Sequence, residues 1–264
     1  MTKYAPFIET DAAAPAAELC AIMARDGYLF MRGLAPIEAV LTVRRAALQL
    51  CDEAGWLDPS RDLMDGIVRP GIAPSGEGQP EYMAMYRRLL KTPLFHDFSA
   101  LPPFCAVIAK LLAIAPGEVL THPRRIGRVT FPHNVGATTP AHQDHFYIRG
   151  AVETYSCWAP LGDCPMELGG LAVWRGSHNR GFIEHTEHIH GAVGGRGVPV
   201  DETQTEWHTS DFRAGDALIF HAFAIHKALP NLTENQLRVS TDNRYQRPHD
   251  KIEPDALLPH YGLK

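Results

Sequence analysis

A histidine and an aspartate separated by one residue, His142 and Asp144, give the chain its first chemical signal. Alternate side chains of an extended strand share a face, so one imidazole and one carboxylate can reach the same ion. A second imidazole would complete the two-histidine, one-carboxylate set that holds a ferrous ion on one side and leaves the opposite positions open. His226 is the candidate. It ends the stretch 215–226, where a Gly-Asp turn leads into an apolar run that reads as a buried strand. His221, in the same run, is its rival, although an odd separation from His226 places it on the other strand face. Further on, Arg238 and Ser240 share a face of another apolar strand, a guanidinium and a hydroxyl suited to grip a carboxylate.

The elements that must position these residues fall into two halves. Helical spacing of apolar residues predicts helices over 10–25, 36–53, 82–90 and 101–112, with Val40, Leu41, Val43, Ala47, Leu48 and Leu50 on the buried side of the second. A short strand, 28–31, follows Asp26-Gly27. From Val119 the pattern changes to short apolar runs between Gly, Pro, Asn and Asp, the mark of a β-sandwich or barrel. Strands are predicted over 126–131, 141–147, 153–160, 170–174, 216–222 and 237–245. Gln143, between the two candidate ligands, should face away from them toward the barrel exterior. Phe146 and Tyr147 follow the motif as candidate substrate walls, or as core. The Asp-, Pro- and Gly-rich stretch 57–80 is a long loop, either a connector or a cover over a site. His185, His188 and His190 lack zinc-site spacing and read as a solvated insertion.

Several ordered blocks resemble one family. His142-x-Asp144, Trp158-Ala159-Pro160-Leu161-Gly162-Asp163, Gly169-Gly170-Leu171-Ala172-Val173, Gly176-Ser177-His178, the Gly-Asp strand ending in His226, and Arg238-x-Ser240 are similar to the phytanoyl-CoA dioxygenase family. Gly27–Leu34 is similar to that family's early strand. The resemblance implies an α+β fold with a mainly β core: a double-stranded β-helix of jelly-roll, cupin-like type over about 119–246. N-terminal helices of about 1–118 pack on it, and a tail covers 247–264, all in one oxygenase domain, 1–264. It implies Fe(II) on His142, Asp144 and His226, with His221 at a non-ligand position. It also implies 2-oxoglutarate as cosubstrate, its remote carboxylate on Arg238 with Ser240 beside it and Trp158 lining its pocket, and dioxygen as oxidant. The expected reaction hydroxylates a small metabolite or natural-product intermediate, with release of succinate and CO2. No residue beyond the metal ligands is expected to act as an acid or base. Asp144 itself argues for oxygenation, since related halogenases carry a small residue there. The chain departs from the family pattern at Leu168-Gly169 and Arg175. It also lacks the lysine some members place near the cosubstrate, for which Thr130 or His133 can substitute. Two other readings stay open: a non-catalytic metal- or ligand-binding cupin, and an oxygenase of the same fold without 2-oxoglutarate, in which Arg238 pairs with a carboxylate such as Asp242.

Composition bounds the rest. A chain of 264 residues with 45% hydrophobic and 21% charged residues buries an ample core. A net charge of −5 gives no electrostatic reason to expect nucleic acid or an anionic membrane. Arg124, Arg125, Arg128 and Arg149, which flank the metal motif, read as solvated or paired. Five cysteines without Cys-x-x-Cys spacing suit reduced thiols and a cytoplasmic setting. No signal-peptide pattern or long uninterrupted apolar run is present, so neither secretion nor a membrane span is expected.

Overall fold

Breakers and apolar periodicity decide where the helices start and stop. The structure, a computed structural model, describes residues 3–187 and 195–262. After a two-residue strand β1 (Tyr4–Ala5), helix α1 (Ala16–Asp26) ends at Gly27, whose φ of 79° supplies the left-handed cap. The chain then turns directly into β2 (Tyr28–Met31). Helix α2 (Ile37–Glu53) is followed by α3 (Pro80–Leu89), α4 (Pro93–Ser99) and α5 (Pro102–Leu112). Each of the last three opens on proline, which fits the first turn, where no N–H partner is needed. Helix α4 was not anticipated, being too short to show a period. Leu41, expected on the buried side of α2, is exposed instead, and Cys51 and Arg44 are buried there.

The second half carries β3 (Leu120–Thr121), β4 (Ile126–Thr130), the short helix α6 (Asp144–Ile148), β5 (Tyr155–Pro160) and β6 (Leu171–Trp174). It continues with β7 (Thr186–Glu187), β8 (Arg196–Gly197), β9 (Trp207–His208), β10 (Ala217–His221), β11 (His226–Ala228) and β12 (Arg238–Gln246). The larger sheet runs β2-β10-β5-β12-β3, with β4 also on β12; the smaller runs β1-β9-β6-β11. Strands β7 and β8 pair with each other. This is the double-stranded β-helix with helices on one side.

Strand alternation explains the layering. In the larger sheet Leu29, Met31, Cys157, Ala159, Ile219, Val239 and Tyr245 belong to one core with α1–α5. The alternate residues Tyr28, Phe30, Trp158, Leu218 and Phe220 pack instead with Leu171 and Val173 of the smaller sheet. Phe212 is wedged between them, edge-on to Phe30 at 5.1 Å and to Trp158 at 4.7 Å, contacts worth about 0.5–1.5 kcal/mol each beyond burial. The Gly215-Asp216 turn into β10 is built as its sequence suggests. A Cβ on Gly215 would meet the Ala35 carbonyl at 2.8 Å, and Asp216 accepts from the Gly33 and Arg213 amides and from Arg32.

Two sequence expectations fail in an instructive way. Residues 141–147 are not a strand: His142 makes a single antiparallel bridge to His226, and Asp144 begins α6. The apolar run 215–226 is likewise two strands. Strand β10 stays in the larger sheet, and the chain turns at Ala222–Ile225 to start β11 in the smaller one. His221 is therefore set apart from His226 by a change of sheet rather than by opposite faces of one strand.

Candidate metal centre and its cavity

The site is assembled from both sheets. His142 and His226 exchange two main-chain hydrogen bonds, His142 N–H to the His226 carbonyl at 2.9 Å and the reverse at 3.0 Å, which brings the rings side by side at a tilt of 51° with centroids 4.1 Å apart. Each ring donates its Nδ1–H to the carbonyl two residues before it, Pro140 at 2.7 Å and Ala224 at 3.0 Å. A carbonyl can only accept, so both Nδ1 atoms carry the proton and both Nε2 lone pairs are free. Those two Nε2 atoms face Asp144 Oδ1 at 3.8 and 3.9 Å. One ligand atom from each of the three buried residues lies within 4.8 Å of the others.

Asp144 is held from behind. Arg244 donates to Oδ1 at 2.9 Å through Nη2 and to Oδ2 at 3.2 Å through Nε, and the Ser156 hydroxyl donates to Oδ2. Arg244 also donates to Asp242 at 2.9 Å. Burial pushes the Asp144 carboxyl up, but Arg244, His226 and His142 outweigh it and leave the group below the ordinary carboxylate range. Burial, and then its neighbour His226, hold His142 well below the usual imidazole range, so that ring is neutral. Neutral imidazole and an ionised carboxylate are the donor states a divalent first-row ion requires, so the residues present fit such a metal.

The three residues open onto a cavity of about 260 Å³. Arg238, Trp158, Thr130 and Tyr147 line it, as sequence reading proposed or allowed. Arg238 donates to the Thr130 hydroxyl at 2.6 Å and lies 3.4 Å from the Ser240 hydroxyl beneath it. Thr130, not the exposed His133, is thus the neighbour of Arg238. Asp242, offered as an alternative partner for Arg238, pairs with Arg244 instead.

Helix α6 sorts the residues after the motif. Positions three and four beyond Asp144 fall on its face, so Tyr147 and Ile148 reach the cavity. Phe146, two beyond it, is turned out of the lining and stacks on His185 at 4.2 Å. Gln143 does face away from the ligands but is fully buried: its amide donates to the Gly181 and Phe223 carbonyls and accepts from the Ile183 amide, all at 2.8 Å. The segment entering the histidine-rich insertion is therefore fastened to the core, with His185 buried. His188 and His190 lie outside the described residues.

Sequence reading missed Arg244, Ser156, the pairing of Asp242 with Arg244 and, from the loop 57–80, Glu77, which accepts from Arg128 and Tyr261 at the cavity wall. The alternation Arg238, Ser240, Asp242, Arg244, Gln246 was the available signal: a polar face on a strand whose residues are nearly all buried. Arg175, a departure from the family pattern, anchors α1 by donating to Asp26 at 2.7 Å. The five cysteines are unpaired, and burial raises the Cys157 thiol, which makes that side chain ordinary core.

Residues 23–240 match the sequence model of the phytanoyl-CoA dioxygenase family. The chain is 30% identical over 247 residues to the 1-deoxypentalenic acid 11-beta-hydroxylase of Streptomyces exfoliatus, covering 88% of this chain and 82% of that protein. Its counterpart in Streptomyces arenae is also 30% identical, over 242 residues, with the same coverage. Among solved structures, the epimerase SnoN in complex with Fe3+, alpha ketoglutarate and nogalamycin RO superposes with a TM-score of 0.62 at 19% identity, over 90% of this chain and 86% of that one. EvdO2 from Micromonospora carbonacea var. aurantiaca gives 0.59 at 21% identity, over 94% and 98%. On these grounds the chain belongs to the phytanoyl-CoA dioxygenase family, and it is an oxygenase built on a double-stranded β-helix.

Proposed function

We propose that the protein is an Fe(II)- and 2-oxoglutarate-dependent dioxygenase that hydroxylates a small-molecule metabolite or natural-product intermediate, with release of succinate and CO2. The observation that carries this reading is the presence, in one cavity, of a three-ligand cluster and a buried guanidinium that has no carboxylate partner among the described residues. His142 Nε2, Asp144 and His226 Nε2 would hold the iron. Arg238, backed by Thr130 and Ser240, would receive the remote carboxylate of 2-oxoglutarate against Trp158. When bound, the iron and the keto acid supply the oxidising power that turns dioxygen on an unactivated C–H bond. What the chain contributes is orientation and dryness. The Nδ1–carbonyl bonds fix both rings, Arg244 and Ser156 fix the carboxylate, and Tyr147 and Ile148 wall the space beside them. Hydroxylation is taken from the curated relatives, whose names specify it. We read the helical part and the β core as one catalytic unit, because a single hydrophobic cluster joins them, and the unpaired cysteines suit a cytoplasmic setting.

The test is succinate release from 2-oxoglutarate by anaerobically iron-loaded protein on admission of oxygen, with a metabolite panel. Wild type should form succinate, slowly even without substrate. His226→Ala should form none, and Arg238→Ala should recover it only at high 2-oxoglutarate. Iron-loaded wild type that makes no succinate under any condition sinks the reading in favour of a binding protein. Turnover of Arg238→Ala that ignores added 2-oxoglutarate would point to an oxygenase without that cosubstrate.

A further inference from the structure

Arg124, Arg128, Arg238 and Arg244 all line the cavity, but they differ in what answers their charge. Arg244 is paired with Asp144 and Asp242, and Arg128 with Glu77. Arg238, on the reading above, awaits the cosubstrate. Arg124 has no side-chain hydrogen bond or ion pair among the described residues; only its main-chain N–H is fixed, on the Ala256 carbonyl at 3.3 Å. The wall thus sets the guanidiniums of Arg124, Arg128, Arg238 and Arg244 against the carboxylates of Glu77, Asp144 and Asp242. A ferrous ion and a 2-oxoglutarate dianion cancel, so one positive charge remains unanswered in the loaded site.

Register tells where that charge lies. Strand β4 pairs with β12 as Thr130 with Arg238, Arg128 with Ser240 and Ile126 with Asp242. Alternate residues share a face, and Arg124, Ile126, Arg128 and Thr130 all line the cavity. Arg124 lies two residues before β4 begins, where His122 N–H is bonded to the Arg244 carbonyl, so it falls at the Arg244 end, beyond Ile126, which is itself roughly 13 Å along the strand from Thr130 at about 3.3 Å per residue. The cosubstrate arginine and the free arginine occupy opposite ends, with Asp144, through Arg244, nearer the free one. His260, beside this end, adds no charge of its own: burial and then Arg128, Arg124 and Arg244 push it down to about 2.

We propose that Arg124 is a specificity-determining residue that receives a carboxylate of the substrate, with the substrate's apolar body lying against Ile126, Ile148 and Leu171. A monoanion is favoured over a phosphate dianion because a single charge is left to neutralise. This inference rests on the oxygenase reading for the placing of 2-oxoglutarate at Arg238.

Calorimetric binding to protein loaded with Mn(II) and 2-oxoglutarate tests it, using decanoate, cyclohexanecarboxylate and 1-deoxypentalenic acid, each against its primary amide, with cyclohexyl phosphate as the dianion. At least one acid should bind roughly 10- to 100-fold more tightly than its amide. Arg124→Gln should erase that preference while leaving amide affinity unchanged, which a merely structural role would not do. Arg124→Lys should keep part of it. No acid preferred over its amide, a preference that survives Arg124→Gln, or tighter binding of the phosphate each overturns the proposal. Succinate formation is scored separately. A charge preference without succinate removes the oxygenase reading but leaves the anion site, and succinate without a charge preference does the reverse.

Discussion

Arg238 and Arg244 stand at opposite ends of one face of β12, both buried, and their surroundings treat them oppositely. Around Arg244, Asp144 and Asp242 outweigh burial and raise its pKa. Around Arg238, burial prevails and lowers it, and among the described residues its Nε has no partner and only hydroxyls accept from the rest. A buried guanidinium that is saturated by acids holds a fold together; one that meets only hydroxyls is arranged to receive a charge that arrives later. The same strand supplies both.

The comparison breaks most visibly at the saturated end. Arg244→Met should strand the buried carboxylate of Asp144 beside the partly buried Asp242 and cost about 3–5 kcal/mol in urea unfolding, with iron binding largely lost. An equal loss in Arg238→Met would erase the distinction. That variant should instead leave the unliganded protein within about 1 kcal/mol of wild type and weaken 2-oxoglutarate binding by roughly 10- to 100-fold, read by titration of the metal-loaded protein. Smaller again is Ser156→Ala, which removes one of the bonds to Asp144. It should lower iron affinity about tenfold with a modest drop in stability of about 1 kcal/mol. The smallest effect reports the field of Arg244. Burial, partly offset by the bond to Gln246 and helped by Arg244, pushes His122 down to about 4. Its value lies below that of an unfolded histidine, about 6.5, so the stability it contributes is complete above pH 6.5 and is lost as the pH falls toward 4. Without the Arg244 charge, an NMR titration should find His122 somewhat higher and that acid loss smaller, by under about 1 kcal/mol.

What could be read in advance followed from residue type and period. That His142, Asp144 and His226 would meet, and that Arg238 would line the same cavity, was legible because few other chemistries use those side chains in that order. Their local geometry was not. Helix α6 spans too few residues to show a 3.6-residue repeat, so 141–147 looked like alternation. Ala222–Ile225 is apolar throughout and contains no glycine, proline or asparagine to announce the turn that carries His226 into the other sheet. Arg244 and Asp242 were visible as polar residues at alternate positions of a buried strand, a pattern that asks for partners. Glu77 lies in the stretch 57–80, legible as a connector or a cover, but nothing in that loop's composition singled out this residue.

The two main-chain hydrogen bonds between His142 and His226 carry one more consequence. The distance between those positions is set by backbone atoms, and neither ring is needed to maintain it. A glycine or alanine at either position would leave a ring-shaped hole with its remaining walls unmoved. Free imidazole from solution could occupy that hole, and the centre could be retuned by small diffusible ligands one coordination site at a time.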